Sequence, residues 1–391
     1  MHYGHVPPWL AERMGKLGLA ITEALVLESG PQEFLRRISD PFWFQSLGAV
    51  MGMDWHSSGI TTSVMGALKR TVNPVSAELG IYICGGKGKQ SRKTPEELTM
   101  LARRTGLDGE HLVHCSRLSA KVDNTALQDG FQLYMHNFIV TRDGEWAVVQ
   151  QGMNAGSTAR RYHWHSPGIT SFVEDPHAAI CGTNQGKVLN LVSSQASPAR
   201  QAMMEMTSEH PDRMLREARR LVMPDRHDVR AEDVDLKRLG AMLYIAHERQ
   251  PRDFSELLLL AGMGPRTLQS LALVSEVIYG ATSRFDDPAR FSFAHGGKDG
   301  HPFPVPVNVY DETITTLRNA VDKAKIGTGD KLQAVRKLSE LARQAERGLT
   351  PNGNLDAVIE KERNESWKYG GRTVFGKAAR PVSPQLDLFA K

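Results

Sequence analysis

Six polar clusters in the first half of the chain gather residue types that act on phosphate esters. Asp54 and His56 lie in the run from Met53 to Gly59. Lys87 and Lys89 lie in the glycine-rich run from Gly85 to Arg92. A third cluster runs from Ser116 to Gly130 and holds Arg117, Ser119, Lys121, Asp123, Asn124, Gln128 and Asp129. Gln150, Gln151 and Asn154 form the fourth, Arg160, Arg161, His163 and His165 the fifth, and Glu174, Asp175 and His177 the sixth. Carboxylates and imidazoles supply the oxygen and nitrogen ligands that divalent cations take up. Asp54, Asp123, Asp129, His163, Glu174 and His177 are the expected metal ligands, with Mg²⁺ or Mn²⁺ preferred to Zn²⁺. Asp54, His56, Lys87, Arg117, Lys121, Asp123 and Asp129 are the expected catalytic residues. Two metals flanked by lysine and arginine can activate water and stabilise a pentavalent phosphorus.

Spacing refines these expectations. On a helix Ser116, Ser119 and Asp123 share one face, while Arg117 and Lys121, four apart, share another. On a strand His163 and His165 share a face. A glycine-rich loop with Lys87 and Lys89 after a strand can hold phosphate through backbone N–H groups and ammonium charge. It lacks the G-x-x-x-x-G-K-S/T pattern of a nucleotide P-loop. Against this stands a plainer reading, because a single Asp or His is more often a cap, a turn residue or a satisfied core group. Familiar nuclease signatures do not appear. The run Glu145–Gln150 lacks the lysine of an acid-plus-Glu-x-Lys pair, there is no H-N-H finger, and Gly80-Ile81-Tyr82 is only a fragment of a G-I-Y pair.

The second half carries a sharper pattern, Asp253 to Val274, in which two short apolar-faced stretches flank Ala261-Gly262-Met263-Gly264. This resembles the helix-hairpin-helix DNA-binding motif. Gly262 and Gly264 allow a sharp turn close to a phosphate. Met263 plugs the turn into the core. Pro265 suits the first position of a helix, whose free N–H groups and positive dipole end attract anions. Arg266 and Thr267 add donors. Such contacts reach the DNA backbone and carry no sequence preference. A tight helical hairpin without a ligand is the alternative. The run Phe293–Gly300, with Lys298, reads either as a second phosphate loop or as a plain turn.

The chain ends with Gln385, Leu386, Asp387, Leu388 and Phe389, followed by two residues. These five resemble the motif by which bacterial polymerases and repair proteins bind the DNA sliding clamp. Leu388 and Phe389 would fill an apolar pocket, Gln385 would anchor the other end by hydrogen bonds, and Leu386 would pack beside it. An unstructured tail that orders on binding suits a transient tether.

Several segments together resemble the bacterial and archaeal family known as domain of unknown function 763. They are DWHSSG (54–59), GGKGKQSRKTP (85–95), SAKVDNTALQDG (119–130), VVQQGMN (148–154), RRYHWHS (160–166) and AHGGKDG (294–300). The resemblance covers roughly residues 2–330. It implies one shared unit and brings no activity with it. The clamp-like tail falls outside it.

The elements that must position these residues follow from periodicity. Trp9–Leu27 reads as a helix, Pro31 and Pro41 open two more, and 79–84 reads as a buried strand. Phe131–Val140 and Trp146–Gln150 read as a hairpin turned at Asp143-Gly144, with Tyr162–His165 as a further strand. Helices are expected over 198–206, 211–221, 232–248, 253–261, 265–279, 309–324 and 330–347. The expected architecture is an α+β candidate catalytic domain over 1–195, an all-α helical domain over 196–348 with the helix-hairpin-helix at 253–279, and a disordered C-terminal tail over 349–391 with the clamp motif at 385–389.

Composition sets limits. The chain has 391 residues, 40% apolar and 24% charged, enough for a real core. A net charge of +4 permits a nucleic-acid partner without demanding one. Cys84, Cys115 and Cys181 are too dispersed for a disulfide framework or a cysteine zinc site. No signal peptide or membrane-spanning run appears, so a cytoplasmic, nucleoid-associated protein is expected. The functional expectation is a DNA-binding protein of repair or recombination, a metal-dependent DNA nuclease recruited to the sliding clamp. A non-catalytic adaptor that links a partner to the clamp is the alternative. An RNA- or nucleotide-processing enzyme is the weaker third.

Overall fold

The computed structural model describes residues 8–53, 59–219, 235–289, 307–346, 372–373 and 376–377. The chain opens with α1 (Pro8–Ser29), α2 (Pro31–Ser39), α3 (Pro41–Val50), α4 (Ile60–Val72) and the single turn α5 (Ser76–Leu79). Prolines start α1, α2 and α3, because their missing N–H costs nothing in the first turn. Asp40 caps α3 by accepting from the Trp43 N–H at 2.7 Å.

Strand β1 (Ile81–Lys87) is followed by a 3-10 turn (Gly88–Lys93), α6 (Thr94–Thr105) and α7 (Gly109–Lys121). Next come β2 (Leu127–Gln128), β3 (Gln132–Thr141), β4 (Trp146–Met153), β5 (Ala159–His165), β6 (Ala179–Cys181) and β7 (Leu189–Asn190). The main sheet has the order β1-β3-β4-β5-β6 and is antiparallel throughout. The β3–β4 hairpin turns at Asp143-Gly144 as expected, with Gly144 at φ 87°.

Strand β1 differs from its expectation. It starts later, after Gly80 ends α5 at φ 67°, and runs on through Gly85 and Gly86. The run expected to form a phosphate loop therefore begins as strand. Gly85 sits at φ 89°, and a Cβ there would run into the His136 carbonyl oxygen of β3 and lie 2.6 Å from Thr94 Oγ1, so the close approach of β3 and α6 requires glycine.

Helices α8 (Ser197–Ser208), α9 (Pro211–Ala218), α10 (Leu236–Arg249), α11 (Phe254–Leu259), α12 (Pro265–Tyr279), α13 (Val307–Lys323) and α14 (Thr328–Glu346) lie close to the expected spans. The sheet is covered on both faces. Cys84, Phe138, Val140, Val148, Tyr162 and Trp164 pack against α6, α7, α8 and α10 to α12. Ile83, Met135, Ile139 and Val149 share a second core with α1 to α4, α13 and α14. Side chains on an interior strand alternate between these two cores. The first core runs from Cys84 to Ala289, across the expected boundary at 195/196.

Asp54, His56, Phe293–Gly300 and the tail motif Gln385–Phe389 lie outside the described residues. Among the described residues no helix is long and apolar enough to cross a membrane.

Candidate active site

Helix α7 is regular to Lys121, and the chain then widens into one turn of π-helix over Val122–Ala126. Such turns are frequent at functional sites. This one carries Asp123, which is fully buried. Ser116 and Ser119, expected on the same face, are buried with it. One carboxylate oxygen, Oδ1, meets His177 Nε2. The other, Oδ2, accepts from Gln150 Nε2 and from the Trp164 indole N–H at 3.0 Å.

A second tier of groups stands behind Gln150. The register of β3 against β4 places His136 opposite Gln150. His136 Nδ1 is 2.6 Å from Gln150 Oε1, and His136 Nε2 is 2.9 Å from Ser116 Oγ. Burial pushes the His136 pKa down, so the ring is neutral. Gln150 offers its oxygen, so Nδ1–H donates to Gln150 and Nε2 accepts from the Ser116 hydroxyl. Ser116, His136 and Gln150 thus donate in one direction, toward Asp123. A buried network with every member satisfied is held rigid.

His177 sits on the loop between β5 and β6, beside Asp175, whose backbone is left-handed at φ 47°. The Ala178 N–H donates to the His163 carbonyl at 2.9 Å and fixes the end of this loop. The His177 side chain keeps 7% exposure, while Asp123 keeps none. A carboxylate only accepts, so His177 carries a hydrogen on Nε2, and in the neutral ring the lone pair is then on Nδ1. An imidazole oriented by a buried carboxylate is the arrangement of a general base.

Asp129 belongs to an adjoining network. Its Oδ2 accepts from Tyr162 Oη at 2.7 Å and from Arg160 Nη1 at 2.9 Å. Arg160 also forks onto Asp287, at 3.0 and 2.6 Å. Burial works against the Arg160 charge, but Asp129 and Asp287 outweigh it and raise its pKa. The Tyr162 ring lies 6.2 Å from His177, so the two networks touch through these rings.

The remaining expected residues stand apart. Strand alternation turns His163 toward α2 and α3, on the sheet face opposite Asp123. Its Nδ1 is 3.1 Å from the Ile38 carbonyl, and its Nε2 accepts from Arg161 Nε at 2.7 Å. Both ring nitrogens are occupied, and burial, then Arg161, hold its pKa well below the usual value. Glu174 pairs with Arg200 at 2.6 Å. Lys87 lies over the Tyr134 ring at 5.8 Å, and Arg117 is exposed on α7. Of the expected metal ligands, Asp123 and His177 meet, Asp129 is committed to Arg160, and His163 and Glu174 are elsewhere. Among the described residues no group of three or more His, Cys, Asp or Glu is placed to hold a metal ion.

The glycine turn docks onto the same segment. Lys121 Nζ donates to the Met263 carbonyl, and Gln128 Nε2 donates to the Pro265 carbonyl at 2.7 Å. Gly262 has φ 86°, Met263 is buried, and Arg266 is exposed. Thr267 is buried at 6% exposure, which makes it a packing residue as well as a backbone donor. No side chain caps α12, so its first N–H groups are not taken up by one. Burial lowers the Lys121 pKa.

Sequence reasoning placed Arg160 in a polar cluster without giving it a role, and passed over His136, Tyr162, Trp164 and Asp287 as site residues. A signal existed for His136, which with Asn137 interrupts the apolar run of β3. Its partner Gln150 depends on strand register.

A family model described as protein of unknown function (DUF763) matches residues 1–305. No curated protein and no solved structure matches the chain.

Proposed function

The chain belongs to the DUF763 family of proteins of unknown function, and from that premise we propose that it is a DNA-binding nuclease of repair or recombination. One observation carries this reading: Lys121 and Gln128 tie the glycine turn to the short segment that bears Asp123 and Asp129. A turn suited to the DNA backbone and an Asp–His pair suited to base catalysis are thereby held by one piece of chain. In this reading α11, the turn and α12 act as a helix-hairpin-helix. Gly262, Gly264, Arg266 and Thr267 approach the phosphates through backbone N–H groups and the arginine side chain.

His177, oriented by Asp123, takes a proton from water at Nδ1, and the water oxygen attacks phosphorus. The P–O bond to the leaving strand breaks, its oxygen takes a proton from solvent, and His177 gives the proton it accepted back to solvent. Arg117 and Lys121 offset the charge that builds on the phosphate. A divalent metal, Mg²⁺ or Mn²⁺, is the cofactor expected from the sequence; of its expected ligands among the described residues only Asp123 and His177 meet, and a metal held there would add positive charge against the phosphate. The tail motif Gln385–Phe389 tethers the protein to the sliding clamp, which places it with the nucleoid in the cytoplasm.

The test is incubation of full-length protein with labelled linear, nicked, branched and single-stranded DNA, in Mg²⁺, Mn²⁺, Zn²⁺ or EDTA. Metal-dependent cutting of at least one substrate is expected. Intact DNA under every condition removes the hydrolytic reading. A second reading, a non-catalytic DNA-binding adaptor, is favoured by the complete burial of Asp123 and by His136, which is only 5% exposed. Binding without cutting is its outcome.

A further inference from the structure

The end of the α6–α7 pair nearest the glycine turn carries a cluster of cations that no acid neutralises. The 3-10 turn from Gly88 to Lys93 supplies Lys89, Arg92 and Lys93, all exposed. No acid occurs from Gly85 to Thr94. Arg117 on α7 and Arg266 on α12 are exposed as well.

Packing of α6 against α7 brings these residues to one place. The two helices are joined by a tight turn at Gly106–Asp108 and run antiparallel. A Cβ at Gly109 would lie 2.7 Å from Ala102 Cβ and 3.9 Å from Thr99 Cα, which sets the register of the pair. By helix rise, the level of Arg117 along α7 matches the level of Thr94, at the start of α6 beside Lys93. Lys121 ends α7 one turn beyond, and there it holds the Met263 carbonyl of the glycine turn. The 3-10 turn, the end of α7 and the α11–α12 turn therefore share one end of the molecule. Helices pack roughly 8–10 Å apart and a 3-10 turn rises roughly 2 Å per residue, so the cations spread over a length on the order of 20 Å.

Several other cations among the described residues are in ion pairs. Arg36 and Arg37 meet Glu33 and Glu312, Arg213 meets Glu209, Arg252 meets Glu256, and Lys323 meets Glu28. Among the described residues Lys89, Arg92, Lys93, Arg117 and Arg266 make no ion pair. The nearest acids do not change this. Glu97 is committed to Lys69 and to the Gly85 N–H, both at 2.7 Å, and Glu96 lies in the first turn of α6, where the helix dipole favours it. The opposite end of the helix pair carries both signs, with Arg103 and Arg104 beside Asp108 and Glu110.

The turn is also held in shape. Ser91 Oγ donates to the Gly88 carbonyl at 2.6 Å, and Thr94 Oγ1 donates to the Ser91 carbonyl at 2.8 Å. Little backbone freedom is lost when such a surface meets a ligand.

We infer that Lys89, Arg92 and Lys93, with Arg117 and Arg266, form a second DNA-backbone contact that continues the path of the duplex from the glycine turn across the end of α6 and α7. This rests on the DNA-binding reading above and extends it. A duplex carries a charge roughly every 1.7 Å along its axis, so a surface on the order of 20 Å meets several phosphates and binds without sequence preference.

The experiment measures duplex affinity of the full-length protein by fluorescence anisotropy at several NaCl concentrations. It compares wild type, Gly262→Val, and the triple variant Lys89→Gln/Arg92→Gln/Lys93→Gln. All three triple-variant positions are exposed, so an unchanged Tm is expected and is checked first. The triple variant is expected to lower the slope of log affinity against log salt by about 0.9 for each phosphate that it no longer neutralises. The loss of affinity is equal for unrelated duplex sequences. Wild-type binding weakened by Gly262→Val but unchanged in salt slope by the triple variant overturns this inference and leaves the DNA reading standing. Absence of wild-type binding overturns both. Tighter binding of an RNA duplex, weakened by the same triple variant, overturns the assignment of DNA as the partner.

Discussion

Asp123 and His177 meet across the first core face, carboxylate Oδ1 against imidazole Nε2, with Gln150 and Trp164 on the other carboxylate oxygen. Hydrogen-bond partners assign hydrogens on three histidines. His177 carries its hydrogen on Nε2. His136 carries it on Nδ1, toward Gln150, and His163 carries it on Nδ1, toward the Ile38 carbonyl. Long-range ¹H–¹⁵N spectra of imidazole-labelled protein at pH 7.5 should show these three tautomers. An Nδ1–H tautomer at His177 would remove the lone pair that the mechanism uses.

Arg160 holds two carboxylates from distant parts of the chain, Asp129 and Asp287, and its guanidinium is fully buried. Removing its charge leaves both buried acids without their counter-ion. Arg160→Met should cost about 3–5 kcal/mol in urea unfolding, the usual cost of breaking a buried ion pair. A cost below about 1 kcal/mol would mean that the network adds little beyond its volume.

Burial lowers the pKa of His136, and burial followed by Arg161 lowers that of His163. Above pH ~6.5 each ring is neutral in the folded and the unfolded chain, and the folded state bears no proton penalty. As pH falls below that value the unfolded chain takes up protons that the folded chain refuses. Stability should then fall with pH, by up to about 1.4 kcal/mol per pH unit for each histidine. Urea midpoints between pH 7.5 and 5.5 test this, and His136→Gln should reduce the slope by about one proton. A flat profile in wild type would show that the two rings gain protons without leaving the core.

Deletion of Gln385–Phe389 should abolish binding to a bacterial sliding clamp and leave duplex affinity unchanged. Surface plasmon resonance on immobilised clamp reads the first, and anisotropy reads the second. Retained clamp binding by the truncated protein would rule the tail out as the tether.

Much of the secondary structure was legible because punctuation and period agree. Pro265 opens α12 and Gly280, at φ 71°, closes it, and Leu268, Leu271 and Ala272 between them are buried. Asp143-Gly144 marked the β3–β4 turn. The shared face of Ser116, Ser119 and Asp123 also followed from helical period, and all three point inward. Long-range placement was not legible. His163 and Trp164 are neighbours in sequence, yet period two sends one to α2 and the other to Asp123. Which face meets which helices depends on packing that no local pattern encodes. Gly85 and Gly86 read as a loop because glycine is sparse in strands. Here Gly85 is needed for the close approach of the His136 carbonyl and of Thr94.

The proposed chemistry turns on His177, held by Asp123, activating water at a DNA phosphodiester. Single-turnover cleavage of the preferred DNA substrate by wild type and His177→Ala decides the point, with duplex affinity and Tm measured on the same samples. The expected result is a fall of about 10²–10⁴-fold in cleavage rate, with affinity little changed and a folded protein whose Tm is lowered by the loss of the Asp123 partner. Undiminished cleavage by His177→Ala would refute the role of His177 as the base.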